Sequence, residues 1–211
     1  MATNFSRKGF DLIGYRNAAA FNGAMNLYYI ASGDSTATFV GDLLIATDAS
    51  ATASTADLAY GVPLVAQAAA GASTDINAGV AISFNQHLGI SNANLNVKRL
   101  HRPASVGMYV LVSDDPNAVY SLQSDDVGET ANTDYVGANG DIIVAAGSTV
   151  TGRSGMLLDI STIETTATLP LKVVGIVNSG NNSMVSGDLN IKYKVVLNAH
   201  TRNTGTLGMD D

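Results

Sequence analysis

Four consecutive residues, Ser32–Ser35 (SGDS), match the start of the nucleophile turn of chymotrypsin-like serine proteases. That turn continues with a glycine next to the oxyanion hole, whereas this chain continues with Thr36. Three histidines could supply the general base, and none carries a catalytic flanking motif: His87, His101 and His200. A turn between two strands explains the tetrapeptide. We therefore predict that it is not a catalytic site and that the chain is not an enzyme.

The stretch Asp125–Glu129 (DDVGE) places three carboxylates in a loop, and carboxylate oxygens are the ligands that a hard cation such as Ca²⁺ prefers. Its spacing does not match the twelve-residue calcium loop, because the alternating acidic positions before the glycine are missing. No phosphate-binding loop or dinucleotide fingerprint is present either. We therefore predict a solvated acidic loop, with no metal and no cofactor.

The basic residues are unevenly distributed along a chain whose net charge is −7. No lysine or arginine occurs between Arg16 and Lys98, or between Arg102 and Arg153. Two groups of cations are candidate binding residues for an acidic protein partner: Arg7, Lys8 and Arg16 near the N-terminus, and Lys98, Arg99 and Arg102 in the centre. The central group equally fits a charged strand edge that prevents unwanted sheet pairing. An acidic body of this kind should repel nucleic acid.

The elements that must position these residues are predicted to be strands. The chain has 211 residues but only two glutamates, and it is rich in Ala, Thr, Ser, Asn and Gly, whereas exposed helix faces normally use Glu, Lys and Arg. Runs of β-branched and aromatic residues alternate with turn residues. We predict an all-β fold, a β-barrel or a jelly-roll type sandwich. It would comprise an extended N-terminal arm (residues 1–16), a single domain (17–200) and a C-terminal tail (201–211).

Several local pairings follow from the turn residues. Pro116 and its neighbours predict a hairpin between Val106–Val112 and Ala118–Gln123. The Asn139-Gly140 dipeptide predicts a second hairpin, between Tyr135-Val136 and Asp141–Ala145. Two further strands are predicted at Leu169–Val177 and Leu189–Leu197, separated by a polar loop. A bulge or corner is expected at Gly41-Asp42, and Leu58–Gly71 fits either a short helix or an extended or irregular segment.

Composition also bears on where the protein would be found. The chain has no cysteine, so disulfides and thiolate metal sites are excluded. The N-terminal sequence lacks the apolar core of a secretory signal, and no segment has the uninterrupted apolar length of a membrane span. We expect synthesis in the cytoplasm and no membrane partner.

A cysteine-free β-protein rich in Ala, Thr and Gly resembles the capsid decoration, or cement, proteins of tailed bacteriophages. The stretches that carry the resemblance are Phe21–Ile30, Ser35–Leu44, Gly61–Ala70, Arg102–Pro116 and Thr149–Asp159. The resemblance implies a barrel or jelly-roll body on the outer surface of an icosahedral head. Such a protein is often a dimer or trimer and clamps neighbouring subunits of the major capsid protein. The family offers no catalytic residues.

Three functions remain as alternatives at this point. The first is a structural module that stabilises a capsid, and the second is another virion part such as a tail, fibre or receptor-binding protein. A fibre should show repeats, which are absent from the sequence. The third is an enzyme, for instance a glycan hydrolase that uses two carboxylates. For the first, we expect that deletion of residues 1–16 leaves a folded domain with weakened attachment to the shell.

Overall fold

A computed structural model describes residues 7–17, 23–50, 61–71, 76–85, 100–125, 132–180, 182 and 190–202. Within them the chain forms thirteen strands and one single-turn 3₁₀ helix, Thr133–Tyr135. The strands are β1 Asp11–Tyr15, β2 Asn26–Ile30, β3 Thr38–Phe39, β4 Leu43–Ser50, β5 Pro63–Gln67, β6 Asn77–Asn85, β7 His101–Arg102, β8 Met108–Ser113, β9 Ala118–Gln123, β10 Asn139–Ile143, β11 Leu157–Glu164, β12 Leu171–Ile176 and β13 Lys192–Leu197. The predicted all-β fold is confirmed.

Five strands close into a barrel in the order β2-β5-β4-β6-β8. Only the β2–β5 contact is parallel among these pairs, and the others are antiparallel. Strand β8 is buried along almost its whole length because it faces the barrel interior on one side and neighbouring structure on the other. The barrel has its own apolar core, which includes Ile30, Leu44, Phe84 and Val110.

The remaining long strands form a six-stranded antiparallel sheet in the order β1-β9-β13-β12-β10-β11. Its inner face contributes most of a second core, in which Tyr120 and Tyr193 are fully buried. Leu43 and Val80 from the barrel strands lie in that same core. The barrel and the sheet therefore share apolar packing. A two-stranded sheet of β3 and β7 completes the pairings, and Gly41-Asp42 forms the expected corner between β3 and β4.

The prediction that residues 1–16 form an extended arm is wrong for residues 7–16, the part of this segment that the structure describes. Residues 11–15 form β1, which pairs with β9. The preceding Phe10 is 1% exposed, and its ring meets that of Tyr120 edge-on at a centroid distance of 5.9 Å. Its N–H donates to the Gly41 carbonyl at 2.9 Å. A phenylalanine in the core and a ladder of backbone hydrogen bonds fix this segment to the body.

The predicted hairpin between β8 and β9 is also wrong. The expected turn is present, since the Ala118 N–H donates to the Asp115 carbonyl at 2.9 Å. The chain nevertheless leaves the barrel at this turn and enters the sheet, where β9 pairs with β1 and β13. Strand β8 instead pairs with β2 and β6. Turn residues fix a change of direction, but they do not fix the partner of either strand.

The second predicted hairpin fails for a different reason. Asn139 and Gly140 lie inside strand β10, and Gly140 is paired with Leu171. A Cβ atom at position 140 would lie 2.7 Å from the Ile163 Cδ1 atom, so this glycine permits close packing between strands and does not form a turn. The two predicted C-terminal strands are confirmed as β12 and β13, and the structure pairs them as antiparallel neighbours. Within Leu58–Gly71, the part from Pro63 to Gln67 is extended.

Candidate partner-binding face

The predicted binding residues fall into three groups in the structure. Arg7, Lys8 and Arg16 are exposed and lie just before and just after β1. Lys98 and Arg99 lie outside the described residues. Arg102 is described, and its environment rules out the role expected for it.

Arg102 is fully buried and its guanidinium serves the fold. It donates hydrogen bonds of 2.6–2.8 Å to four backbone carbonyls, those of Ala31, Asp34, Thr36 and Val106. The Asp34 carboxylate lies 3.5 Å away and is the ionic partner. Burial lowers the pKa of the Arg102 guanidinium, and the nearby Asp34 opposes that shift. A side chain enclosed in this way cannot bind a partner, so the prediction for Arg102 is wrong.

The same corner accounts for the SGDS tetrapeptide. The Asp34 side chain accepts the Thr36 N–H at 2.7 Å, which is the local hydrogen bond expected of an aspartate in a turn. The Asp34 carbonyl holds Arg102, as described above. Of the three histidines, His101 stacks on the Phe39 ring at a centroid distance of 5.1 Å. His200 is buried elsewhere, and His87 lies outside the described residues.

The acidic stretch Asp125–Glu129 is described only at its first residue. The Asp125 carboxylate accepts the Ile160 N–H at 3.2 Å, across to strand β11. Within the described part of the chain, no group of three or more His, Asp or Glu side chains is placed to hold a metal ion.

A cationic surface is instead formed where β13 lies beside β9 and β1. Tyr193 and Val195 of β13 point into the core and are fully buried. Since successive residues of a strand point to opposite faces, Lys192 and Lys194 lie on the outer face of the sheet. Strand β9 separates β13 from β1 in the sheet, so it brings these lysines close to the N-terminal cations.

Two depressions on this surface bring together residues that are distant in the sequence. Lys8 and Lys192 line a small cleft together with Asp11. Arg16 and Lys194 line a larger groove of about 470 Å³. We call the four basic residues, Lys8, Arg16, Lys192 and Lys194, the cationic face. One carboxylate, Asp11, lies among them, and it is already within 3.4 Å of the exposed Arg153.

The larger depression, which we call the Arg16–Lys194 groove, combines charge with apolar surface. Its other lining residues are Ile13, Gly14 and Tyr15 of β1, Val119 of β9 and Val174 of β12. Ile13 is 46% exposed and Val174 is 36% exposed, which is high for aliphatic residues of a sheet. Burial raises the pKa of the Tyr15 hydroxyl, and Asp115 adds to the shift, so this tyrosine stays neutral at ordinary pH. The groove can attract an anionic group and desolvate an aliphatic one.

A polar cluster that the sequence did not reveal joins the barrel to the C-terminal end of the sheet. Asp114 is 4% exposed and accepts hydrogen bonds from Asn26 at 2.9 Å and from the Tyr28 hydroxyl at 2.8 Å. The Arg202 guanidinium lies 2.8 Å from the same carboxylate. Burial and the bond to Asp114 raise the pKa of Tyr28 to about 12. Because all the charges are compensated inside the cluster, its role is structural.

Comparison with protein-family models, with curated proteins and with solved structures finds no match to this chain. Among the described residues, no helix has the length and apolar character needed to cross a bilayer. Sequence reasoning identified two of the cations of the cationic face, Lys8 and Arg16, but not the lysines of β13, although Lys192 and Lys194 alternate with Tyr193 and Val195 in the sequence.

Proposed function

We propose that this chain is a structural virion protein, a capsid decoration or cement protein. In this role it binds the outer surface of an icosahedral phage head and stabilises contacts between subunits of the major capsid protein. The observation that carries the proposal is the cationic face, which presents four basic side chains and an aliphatic groove on a chain of net charge −7. The resemblance to decoration proteins supplies the identity of the partner.

The charge pattern supports a binding role on a repeating acidic surface. Opposite charges on two proteins steer their encounter and fix their orientation, even where each ion pair adds little affinity. A head offers many equivalent sites, and a dimer or trimer of this chain would engage several of them at once, so that modest contacts add up to firm attachment. The net negative charge keeps the free protein soluble before it meets the shell.

Binding to heads that lack the protein tests this function. Purified protein should co-sediment with such heads and raise the temperature at which they lose their contents. Replacing Arg7, Lys8 and Arg16 with alanine should weaken binding by roughly tenfold at low salt, since each exposed cation contributes on the order of 0.5 kcal/mol. The variant should also show a weaker dependence of binding on salt concentration than the wild type.

The matched control is Lys172→Ala, which removes a cation of β12 that lines neither depression. Its binding should stay close to that of the wild type. The proposal is rejected if the wild-type protein fails to bind heads that lack it, or if virions without the protein are as stable as those that contain it.

A further inference from the structure

The Arg16–Lys194 groove has a floor that the fold itself does not require. Gly14 lies at a register shift in β1, where it pairs with Val119 of β9. Its φ angle is not in the left-handed region, so the backbone conformation does not demand glycine. A Cβ atom built at position 14 would have no neighbour within 4 Å. Internal packing therefore gives no reason for glycine here, and its absent side chain leaves the floor of the groove open.

One end of the groove lies at a sheet edge, and from there the groove crosses the sheet face from β1 over β9 and β13 to β12. Strand β1 is the end strand of the six-stranded sheet, and among the described residues it pairs with β9 alone. End strands offer backbone N–H and carbonyl groups to an extended chain, and proteins that prevent such pairing usually place lysine or proline within the strand. β1 (DLIGY) contains neither. A glycine beside an open edge allows another backbone to approach closely.

The lining specifies the chemistry of an occupant. Arg16 and Lys194 supply two positive charges at the groove, and these favour an anionic ligand over a cationic one there. Ile13, Val119 and Val174 supply an apolar floor that gains from being covered. A volume of about 470 Å³ is within the range of sites that hold a few side chains.

We propose that the Arg16–Lys194 groove receives an extended acidic segment of a protein partner. A carboxylate of that segment lies between Arg16 and Lys194, and a neighbouring aliphatic side chain covers Ile13 and Val174. The identification of the partner as the major capsid protein rests on the proposed function, but the chemistry of the segment does not.

A synthetic peptide of alternating glutamate and valine, seven residues long, is the first probe. Titration followed by NMR should shift the backbone signals of Ile13, Gly14 and Val174, and a peptide with lysine in place of glutamate should leave them unmoved. The inference is overturned if the acidic peptide gives no shifts at the groove, if both peptides bind equally, or if a single-stranded DNA oligonucleotide binds the groove more tightly than the acidic peptide.

The Gly14→Val variant should weaken binding without lowering the stability of the fold, so it distinguishes the two effects. The new side chain enters open space in a strand, where valine is favoured over glycine, so thermal stability should be unchanged or slightly higher. Peptide binding and head binding should each fall at least tenfold because the floor is filled. Gly33→Val is the matched control: Gly33 is exposed, has no positive φ and also has no neighbour within 4 Å of a built Cβ atom. If Gly14→Val binds as well as Gly33→Val, the groove is not the site.

Charge reversal and cross-linking on heads complete the test. Lys194→Glu should reduce binding at least tenfold, whereas Lys172→Glu, a cation of the neighbouring strand outside the groove, should change it less than threefold. A photo-reactive residue at position 13 should cross-link to an acidic extended segment of the capsid protein. If the wild type binds heads but the cross-link maps to a helix or to a basic segment, the proposed function survives and the groove inference does not. If the acidic peptide binds the groove but the protein does not bind heads, the groove inference survives and the proposed function does not.

Discussion

A fully buried guanidinium such as that of Arg102 needs acceptors inside the protein, because its five N–H donors lose their water on folding. Four carbonyls from two separate backbone stretches meet it, those of residues 31, 34 and 36 in one turn region and that of residue 106 beyond β7. The side chain therefore organises the corner where the barrel meets the short β3–β7 sheet.

Replacing this residue should be strongly destabilising. Arg102→Met removes the donors and leaves the four carbonyls and the Asp34 carboxylate without their partner, which should lower the free energy of unfolding by about 3–5 kcal/mol. Arg102→Lys should be less destabilising than Arg102→Met but still leave the protein less stable than the wild type, since a compact ammonium cannot bond all the acceptors that the planar guanidinium reaches. Urea unfolding measures both. A loss below about 1 kcal/mol for Arg102→Met would show that water replaces the guanidinium.

The His200 imidazole, next to the Asp114 cluster, makes the stability of the fold depend on pH. It is fully buried, and its Nδ1 atom accepts the Arg202 backbone N–H at 3.0 Å, which requires the neutral imidazole. Burial lowers the pKa of this histidine, Asp114 and Asp115 oppose the shift, and Arg202 adds to it. The unfolded chain consequently binds a proton more tightly than the folded one at this position.

The resulting pH dependence has a definite sign. The contribution of His200 to stability is fully present above its ordinary pKa of about 6.5, and it is lost as the pH falls through that value towards the lowered pKa of the folded state. His200→Asn keeps an acceptor near the Nδ1 position but cannot titrate. Urea unfolding at pH 7.5 and pH 5.5 should show a smaller loss of stability for this variant than for the wild type. An equal or larger loss would show that a group other than His200 causes the loss of stability at acidic pH.

At the scale of elements, β1 links stability to the cationic face. On its inner side, the strand continues the core packing that begins at Phe10. On its outer side, Ile13 and Gly14 line the groove. The strand is held by pairing with β9 alone among the described residues, so its loss would uncover β9 as well.

Deletion of residues 1–16 should therefore unfold or severely destabilise the protein, contrary to the expectation from sequence. Phe10→Ala alone should lower the free energy of unfolding by about 3–5 kcal/mol, the usual cost of removing a buried phenylalanine ring. Arg16→Ala, at the exposed end of the same strand, is the control and should stay within about 0.5 kcal/mol of the wild type. Circular dichroism and urea unfolding would detect a deletion variant that remains folded, which would show that β1 is dispensable.

At the scale of the whole molecule, the barrel and the sheet act as one body. Leu43 and Val80 of the barrel pack in the core of the sheet, and Asp114 ties barrel residues to Arg202. The Asn77 backbone, at the start of β6, bonds residues 199 and 201 after β13. Apolar packing, an ion pair and backbone hydrogen bonds thus all join the two halves.

The residues alone determined the fold class and part of the face. Few glutamates, many β-branched residues and frequent turn residues indicated strands, and the alternation in β13 correctly placed Tyr193 inside and Lys194 outside. These features are local, because strand propensity and facing depend on neighbours along the chain.

Only the tertiary structure decided which strands pair and which charges are exposed. The turn at Pro116 is the same whether β8 and β9 form a hairpin or enter different sheets, and β8 is buried on both faces, so no alternating pattern marks its partner. Arg102 and Arg16 are equally cationic in the sequence, yet one is enclosed by carbonyls and the other lines a groove beside Lys194. Burial and groove formation depend on residues that are distant along the chain, and these come together only when the sheet is complete.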